Sequence, residues 1–152
     1  MPDNVQSIYK TAREFAGITQ ERAAAALNLS VRSLAAYETG ERIPHDDIVV
    51  RMVDLYNYQQ LAVQHMRANS ELARRIIPEL KDRSLIEAAV RFSNSLRRLD
   101  RLDGAERLLE IGEDNCIDET EREDYNEIVL AVQKLVQSAM ELISANGEEE
   151  RT

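Results

Sequence analysis

The sequence predicts an all-α protein in two parts, a head of short helices followed by a long antiparallel helical hairpin. Three observations lead there. Helix formers dominate the 152 residues, with 5 Gly, 3 Pro and no Trp, and no period-2 alternation is long enough for a sheet. Residues 19–44, TQERAAAALNLSVRSLAAYETGERIP, read as two short helices around a tight turn. After Ser84, apolar residues recur at steps of 3 and 4 along two long stretches.

Each element has a local reason. A first helix over residues 8–16 ends at Gly17. Thr19 is a good N-cap for the next, because its hydroxyl can accept an orphan amide of the first turn. Ala23, Ala24 and Leu27 give that helix one apolar face. Asn28-Leu29-Ser30 breaks it, and Ser30 caps a third helix through Val31, Leu34, Tyr37 and Glu38. Thr39-Gly40 stops the third helix, Gly40 being free to turn left-handed. A fourth helix buries Ile48, Val49, Met52, Val53, Leu55 and Tyr56. Helices this short bury little alone, and such a pair is usually presented by a scaffold to insert its second helix into the DNA major groove.

The flanks sharpen this reading. Residues 8–56 resemble the DNA-binding domain of the Xre family, which includes the lambdoid phage repressors and their Cro proteins. The resemblance rests on Gly17 after the first helix, on Thr19-Gln20-Glu21 opening the second, and on Glu38-Thr39-Gly40-Glu41-Arg42-Ile43-Pro44 closing the third. It covers about a third of the chain. It implies a five-helix, lambda-repressor-like helix-turn-helix domain over residues 1–66, and the wider pattern is similar to regulators carried by prophages and mobile elements.

The resemblance also implies roles for single residues. Arg13 and Glu38 sit where relatives hold an ion pair joining the first and third helices; the plainer alternative is two separate surface charges. Val31, Arg32, Ser33, Ala35 and Ala36 fall nearest base edges. Arg32 can make the bidentate contact to guanine O6 and N7, and the aliphatic residues can pack on thymine methyls. Leu34 and Tyr37 point into the core. Lys10, Gln20, Thr39 and Arg42 are the expected phosphate contacts. Two departures weaken the pattern: Ala35-Ala36 replaces a pair more usually polar, and Glu41 stands where a basic residue is commoner.

Past Tyr56, residues 58–68 are expected to continue as a helix with Leu61, Ala62, His65 and Met66 inward or near the surface. Residues 67–83 form a short helix, ended by Pro78, and a joint. The hairpin occupies 84–146. Its first helix carries Leu85, Ala89, Phe92, Leu96 and Leu99, with a register break at Asp103 and an end at Gly112. Asp118 and Glu121 form a capping box before the second. That helix carries Tyr125, Val129, Val132, Val136, Ala139 and Ile143, and ends at Asn146-Gly147. One hairpin cannot cover two wide stripes, so a homodimer through Val129, Val132, Val136, Ala139 and Ile143 is expected, against a self-contained monomeric bundle. Residues 147–152 are expected to be a disordered acidic tail.

Charge is unevenly spread. Residues 1–66 hold 6 Lys/Arg against 8 Asp/Glu, residues 67–107 hold 10 against 7, and residues 108–152 hold 3 against 13. The head therefore lacks the basic footprint of a strong nucleic-acid binder, and affinity must come from assembly rather than from one monomer. Arg91, Arg97, Arg98 and Arg101 cluster on the first hairpin helix, near an acidic run at 119–127, and read as solvated or paired between subunits.

Other chemistries find little support. Residues 114–118 lack Gly at the sixth position of a calcium loop and Glu at the twelfth. His45 and His65 have no ligand partners at zinc spacing. Cys116 is alone, which excludes an internal disulfide and suits a reducing cytoplasm. No apolar run is long enough for a membrane span, and no signal peptide is visible. No catalytic residues, metal, cofactor or small-molecule ligand are expected. The function expected is a cytoplasmic, bacterial or phage-encoded transcriptional regulator binding double-stranded DNA as a dimer. Two alternatives are a protein-interaction module that keeps the fold without binding DNA, and a ligand-sensing regulator with a pocket in its tail.

Overall fold

Hydroxyl side chains cap three of the helix starts in the first half of the chain. In the computed structural model, which describes residues 8–145, Thr19 accepts the Arg22 amide at 3.3 Å, Ser30 the Ser33 amide at 3.0 Å and Ser70 the Ala73 amide at 3.2 Å. Each bond satisfies a donor that the helix itself leaves without a partner. The helices are α1 (Ile8–Phe15), α2 (Gln20–Ala26), α3 (Val31–Glu38), α4 (Asp46–Tyr56), α5 (Gln60–Asn69) and α6 (Glu71–Ile76). Gly17 and Gly40, at φ 66° and 75°, take the left-handed conformation where α1 and α3 end.

Five of these helices close one core. Tyr9 and Ala12 from α1, Ala23 and Ala24 from α2 and Leu34 from α3 meet Met52, Tyr56 and Leu61 from α4 and α5. The continuation of a helix straight through 58–68 is not what forms. Asn57 turns left-handed at φ 49°, the Tyr58 amide bonds the Val53 carbonyl at 3.3 Å, and α5 starts only at Gln60. Asn tolerates that conformation better than most residues. The break lets the Tyr58 ring enter the core.

The chain divides into two compact units between Leu80 and Lys81. The second unit holds α7 (Leu85–Arg101), α8 (Gly104–Ile111) and α9 (Arg122–Ser144). A capping box opens α7, the Ser84 hydroxyl accepting the Glu87 amide while the Glu87 carboxylate accepts the Ser84 amide at 3.0 Å. The expected single first helix of the hairpin is two helices. Asp103 adopts φ 47° and splits it. Gly104 follows where a Cβ would lie 2.5 Å from Leu99 Cδ1, so a residue without a side chain lets α8 fold back against α7. Asp118 and Glu121 do exchange both box bonds, at 3.0 and 3.2 Å, but α9 begins at Arg122.

Ion pairs give the direction of the pairing. Arg91, early in α7, bonds Glu141, late in α9, at 3.2 Å, and Arg98, late in α7, reaches Glu127 at 4.0 Å. The two helices are therefore antiparallel. Glu141 is fully buried, yet it also accepts from Arg83 at 2.8 Å and from the Lys81 amide at 3.3 Å. Three donors compensate for the desolvation of its charge. Ala88, Ile128, Ala131 and Ser138 form the buried seam between α7 and α9. The expected stripe Leu85, Ala89, Phe92, Leu96 lies round from Ala88, and Leu85 and Leu96 are exposed. Three of these four seam residues are small, which permits close approach of the helices around Ile128.

Among the described residues every regular element is an α-helix, and no helix is long and apolar enough to cross a membrane. No three His, Cys, Asp or Glu side chains among them are grouped to hold a metal ion. The helix end expected at Asn146-Gly147 and the acidic tail over 147–152 lie outside the described residues.

Candidate nucleic-acid interface

Arg13 organises the turn between α2 and α3. Its Nε donates to Glu38 Oε1 at 2.6 Å and its Nη2 to Oε2 at 3.0 Å, while Nη1 donates to the Ile18 carbonyl at 2.9 Å. The two side chains keep only 10% and 3% of their surface. This bidentate geometry suits the guanidinium fork. The Glu38 bond raises the Arg13 pKa further, so its charge is permanent. Gln20 Nε2 also donates to Glu38 Oε2, at 2.9 Å. Helices α1, α2 and α3 thus converge on one carboxylate. Beside it the buried Tyr56 hydroxyl has no hydrogen-bond partner among the described residues, and burial pushes its pKa up to about 12.

With its inner face locked, α3 offers an outer one. At about 100° per residue, Val31, Arg32, Ala35 and Thr39 share one side of the helix. Val31 and Arg32 are exposed and Ala35 is half-buried. Leu34 and Tyr37 are buried, on the core side. Ser33 is half-buried, its hydroxyl 2.8 Å from that of Ser30. Ala36 departs from the expected base-facing set, with only 8% of its surface left. The chain doubles back after Gly40, the Arg42 amide bonding the Ala36 carbonyl at 3.0 Å, and so Ala36 has no open edge to present.

The expected phosphate contacts are scattered. The Thr39 hydroxyl donates to the Ala35 carbonyl at 2.9 Å. Arg42 is exposed and lies over the Tyr37 ring at 5.9 Å, which positions a cation at the exit of α3. Gln20 stands at the start of α2, tied to Glu38. Lys10 sits apart on α1, paired with Glu14 at 3.8 Å.

Two supports escaped the sequence reading. Arg51 on α4 donates to the Leu27 carbonyl at 3.1 Å, closing the end of α2. His65, buried on α5, sits 2.7 Å from the Tyr9 hydroxyl and 3.1 Å from Asp46, tying α5 to α1 and to the first turn of α4. Neither has a signal in local spacing, since the partners lie 24, 56 and 19 residues apart. On α9, Val129, Val132 and Ala139 are half-buried, while Val136 and Ile143 keep 46% and 79% of their surface.

A buried clamp behind a two-helix turn, with one helix face left open, defines a helix-turn-helix head. Residues 10–66 match the family described as a helix-turn-helix domain. The chain is 30% identical over 79 residues to the HTH-type transcriptional regulator ImmR of Bacillus subtilis (strain 168). That match spans 52% of this chain and 60% of the relative. No solved structure matches the chain significantly. Residues 10–66 are thus similar to helix-turn-helix domains, and the chain spans 60% of the length of the regulator it matches.

Proposed function

We propose that this chain is a transcriptional regulator that binds a DNA operator as a dimer, of the kind carried by prophages and mobile elements. The observation that carries the reading is the open face of α3, where Val31, Arg32 and Ala35 stand outward while Arg13 and Glu38 fix the opposite side. Arg32 reads guanine, and Val31 and Ala35 meet thymine methyls. Thr39 and Arg42 at the exit of α3, with Gln20 and Lys10, contact phosphates. The similarity to a regulator supports the same reading. The α9 stripe of Val129, Val132, Val136, Ala139 and Ile143 joins two copies, which places two α3 helices on one duplex.

A second reading follows from charge. With 6 Lys/Arg against 8 Asp/Glu in residues 1–66, the fold could serve protein recognition without DNA. Selection of bound duplex from a random pool at low salt separates the two. Enrichment of a two-fold symmetric site supports the regulator. No enrichment at any salt concentration favours the protein-interaction module.

A further inference from the structure

We infer that the open apolar surface of the second unit spans α7 as well as α9, and that a second copy of this chain closes it as an antiparallel four-helix bundle. The inference rests on the dimeric part of the proposed function and names which helices form the contact.

Rotation about each helix places the residues. On α9 the buried seam is Ile128, Ala131 and Ser138, and Val132, Val136 and Ile143 lie about a third of a turn further round. On α7 the seam is Ala88, and Leu85, Ala89 and Leu96 lie about a quarter of a turn round in the same rotational sense. Because α7 and α9 run antiparallel, the same sense of rotation brings both stripes to one side of the pair. A stripe that α9 seemed to carry alone is half of a two-helix surface.

Charge identifies what covers it. Between Tyr125 and Ser144 the charged residues of α9 are Glu127, Lys134 and Glu141. Glu127 and Glu141 pair with arginines of α7, and Lys134 falls, by its rotation, on the side away from the open stripe. On α7 the stripe is uncharged until Asp100, at its lower end. A partner chosen for complementary charge would find nothing to pair with here. A second copy carries the same formal −9 and the same uncharged stripe, so two copies meet with least repulsion on this surface.

Size fits the same occupant. The 17 residues of α7 are about 25 Å long, and two helices side by side are about 20 Å across. That footprint is of the order of the roughly 800 Å² per partner found in stable interfaces. A two-fold contact needs one self-complementary patch, which an uncharged apolar surface provides.

The test uses the full chain, sedimentation velocity and far-UV circular dichroism. The unmodified protein sediments as a dimer at tens of micromolar. Leu96→Glu on α7 and Val136→Glu on α9 each weaken dimerisation by about a hundredfold or more, since each buries an unpaired charge twice by symmetry. Leu85→Glu, in the first turn of α7 where a carboxylate suits the helix, does the same and guards against a variant that fails to fold. Leu130→Glu, on the opposite side of α9, leaves the dimer intact. If the two α7 variants stay dimeric while Val136→Glu dissociates, the contact is α9 alone: the inference falls and the dimeric reading survives. A monomeric unmodified protein overturns both.

Discussion

At the scale of single residues, one carboxylate does most to shape the site. Glu38 takes hydrogen bonds from Arg13 and Gln20, and its removal strands a buried guanidinium. Glu38→Ala therefore costs the head about 3–5 kcal/mol, the range for breaking one side of a buried pair, read from denaturant unfolding. The neighbouring Tyr56 hydroxyl has no partner among the described residues, so Tyr56→Phe leaves stability unchanged or slightly raised. On the outer face, the proposed function assigns base reading to Arg32 and backbone contact to Arg42. Arg32→Ala costs about 1–3 kcal/mol and relaxes preference at one position. Arg42→Ala weakens all sequences alike and lowers the salt slope by about one unit. Titrating both variants against cognate and scrambled duplexes checks the assignment; equal nonspecific losses count against the register of α3.

At the scale of elements, what could be read from the chain was whatever local chemistry decides. Thr19 and Ser30 cap α2 and α3 because a hydroxyl before a helix has few other uses, and Gly17 and Gly40 mark ends for a similar reason. The break at Asp103 was legible as a slip in apolar register but not as a left-handed residue, because aspartate, though it tolerates that conformation, adopts others more often. The buried pairing of Glu141 with Arg83 and Arg91 spans 58 and 50 residues, and no local pattern announces a contact made by a hairpin closing. In the site, the pair of Arg13 with Glu38 could be located through the family resemblance, whereas the loss of Ala36 to the returning turn depended on how the chain folds after Gly40.

Helix starts in the second unit carry a pH dependence. Hydrogen bonds from Ser84 hold Glu87 below its ordinary 4.5, and bonds from Thr120 and Glu121 hold Asp118 below 3.8. A depressed carboxylate contributes stability that is present above its unfolded pKa and lost as pH falls through the folded one. Acidification through that window should therefore fray the first turn of α7 and the turn before α9 ahead of their centres. Protection of the Glu87 and Glu121 amides against exchange, measured relative to their intrinsic rates from neutral pH downward, falls before that of Ala131 if the caps act this way. Simultaneous loss would mean that the caps are not the weak points.

For the whole molecule, the proposed function makes affinity a property of assembly. Few cations stand at the α2–α3 surface, and Glu41 beside Arg42 opposes them, so a single head neutralises few phosphates. Two heads held by one dimer bind the second half-site at high effective concentration. A fragment of residues 1–80, the first compact unit, should therefore bind a selected operator roughly a hundredfold less tightly than the full chain, the gain usual for linking two modules. Residues 108–152, with 3 Lys/Arg against 13 Asp/Glu, sharpen the comparison. Any of that charge near DNA would repel phosphates, so removing it would raise affinity if assembly contributed nothing. The two effects have opposite signs, and fluorescence anisotropy of both proteins on one labelled duplex distinguishes them. Weaker binding by the fragment identifies dimerisation as the source of affinity, and equal or tighter binding rejects it.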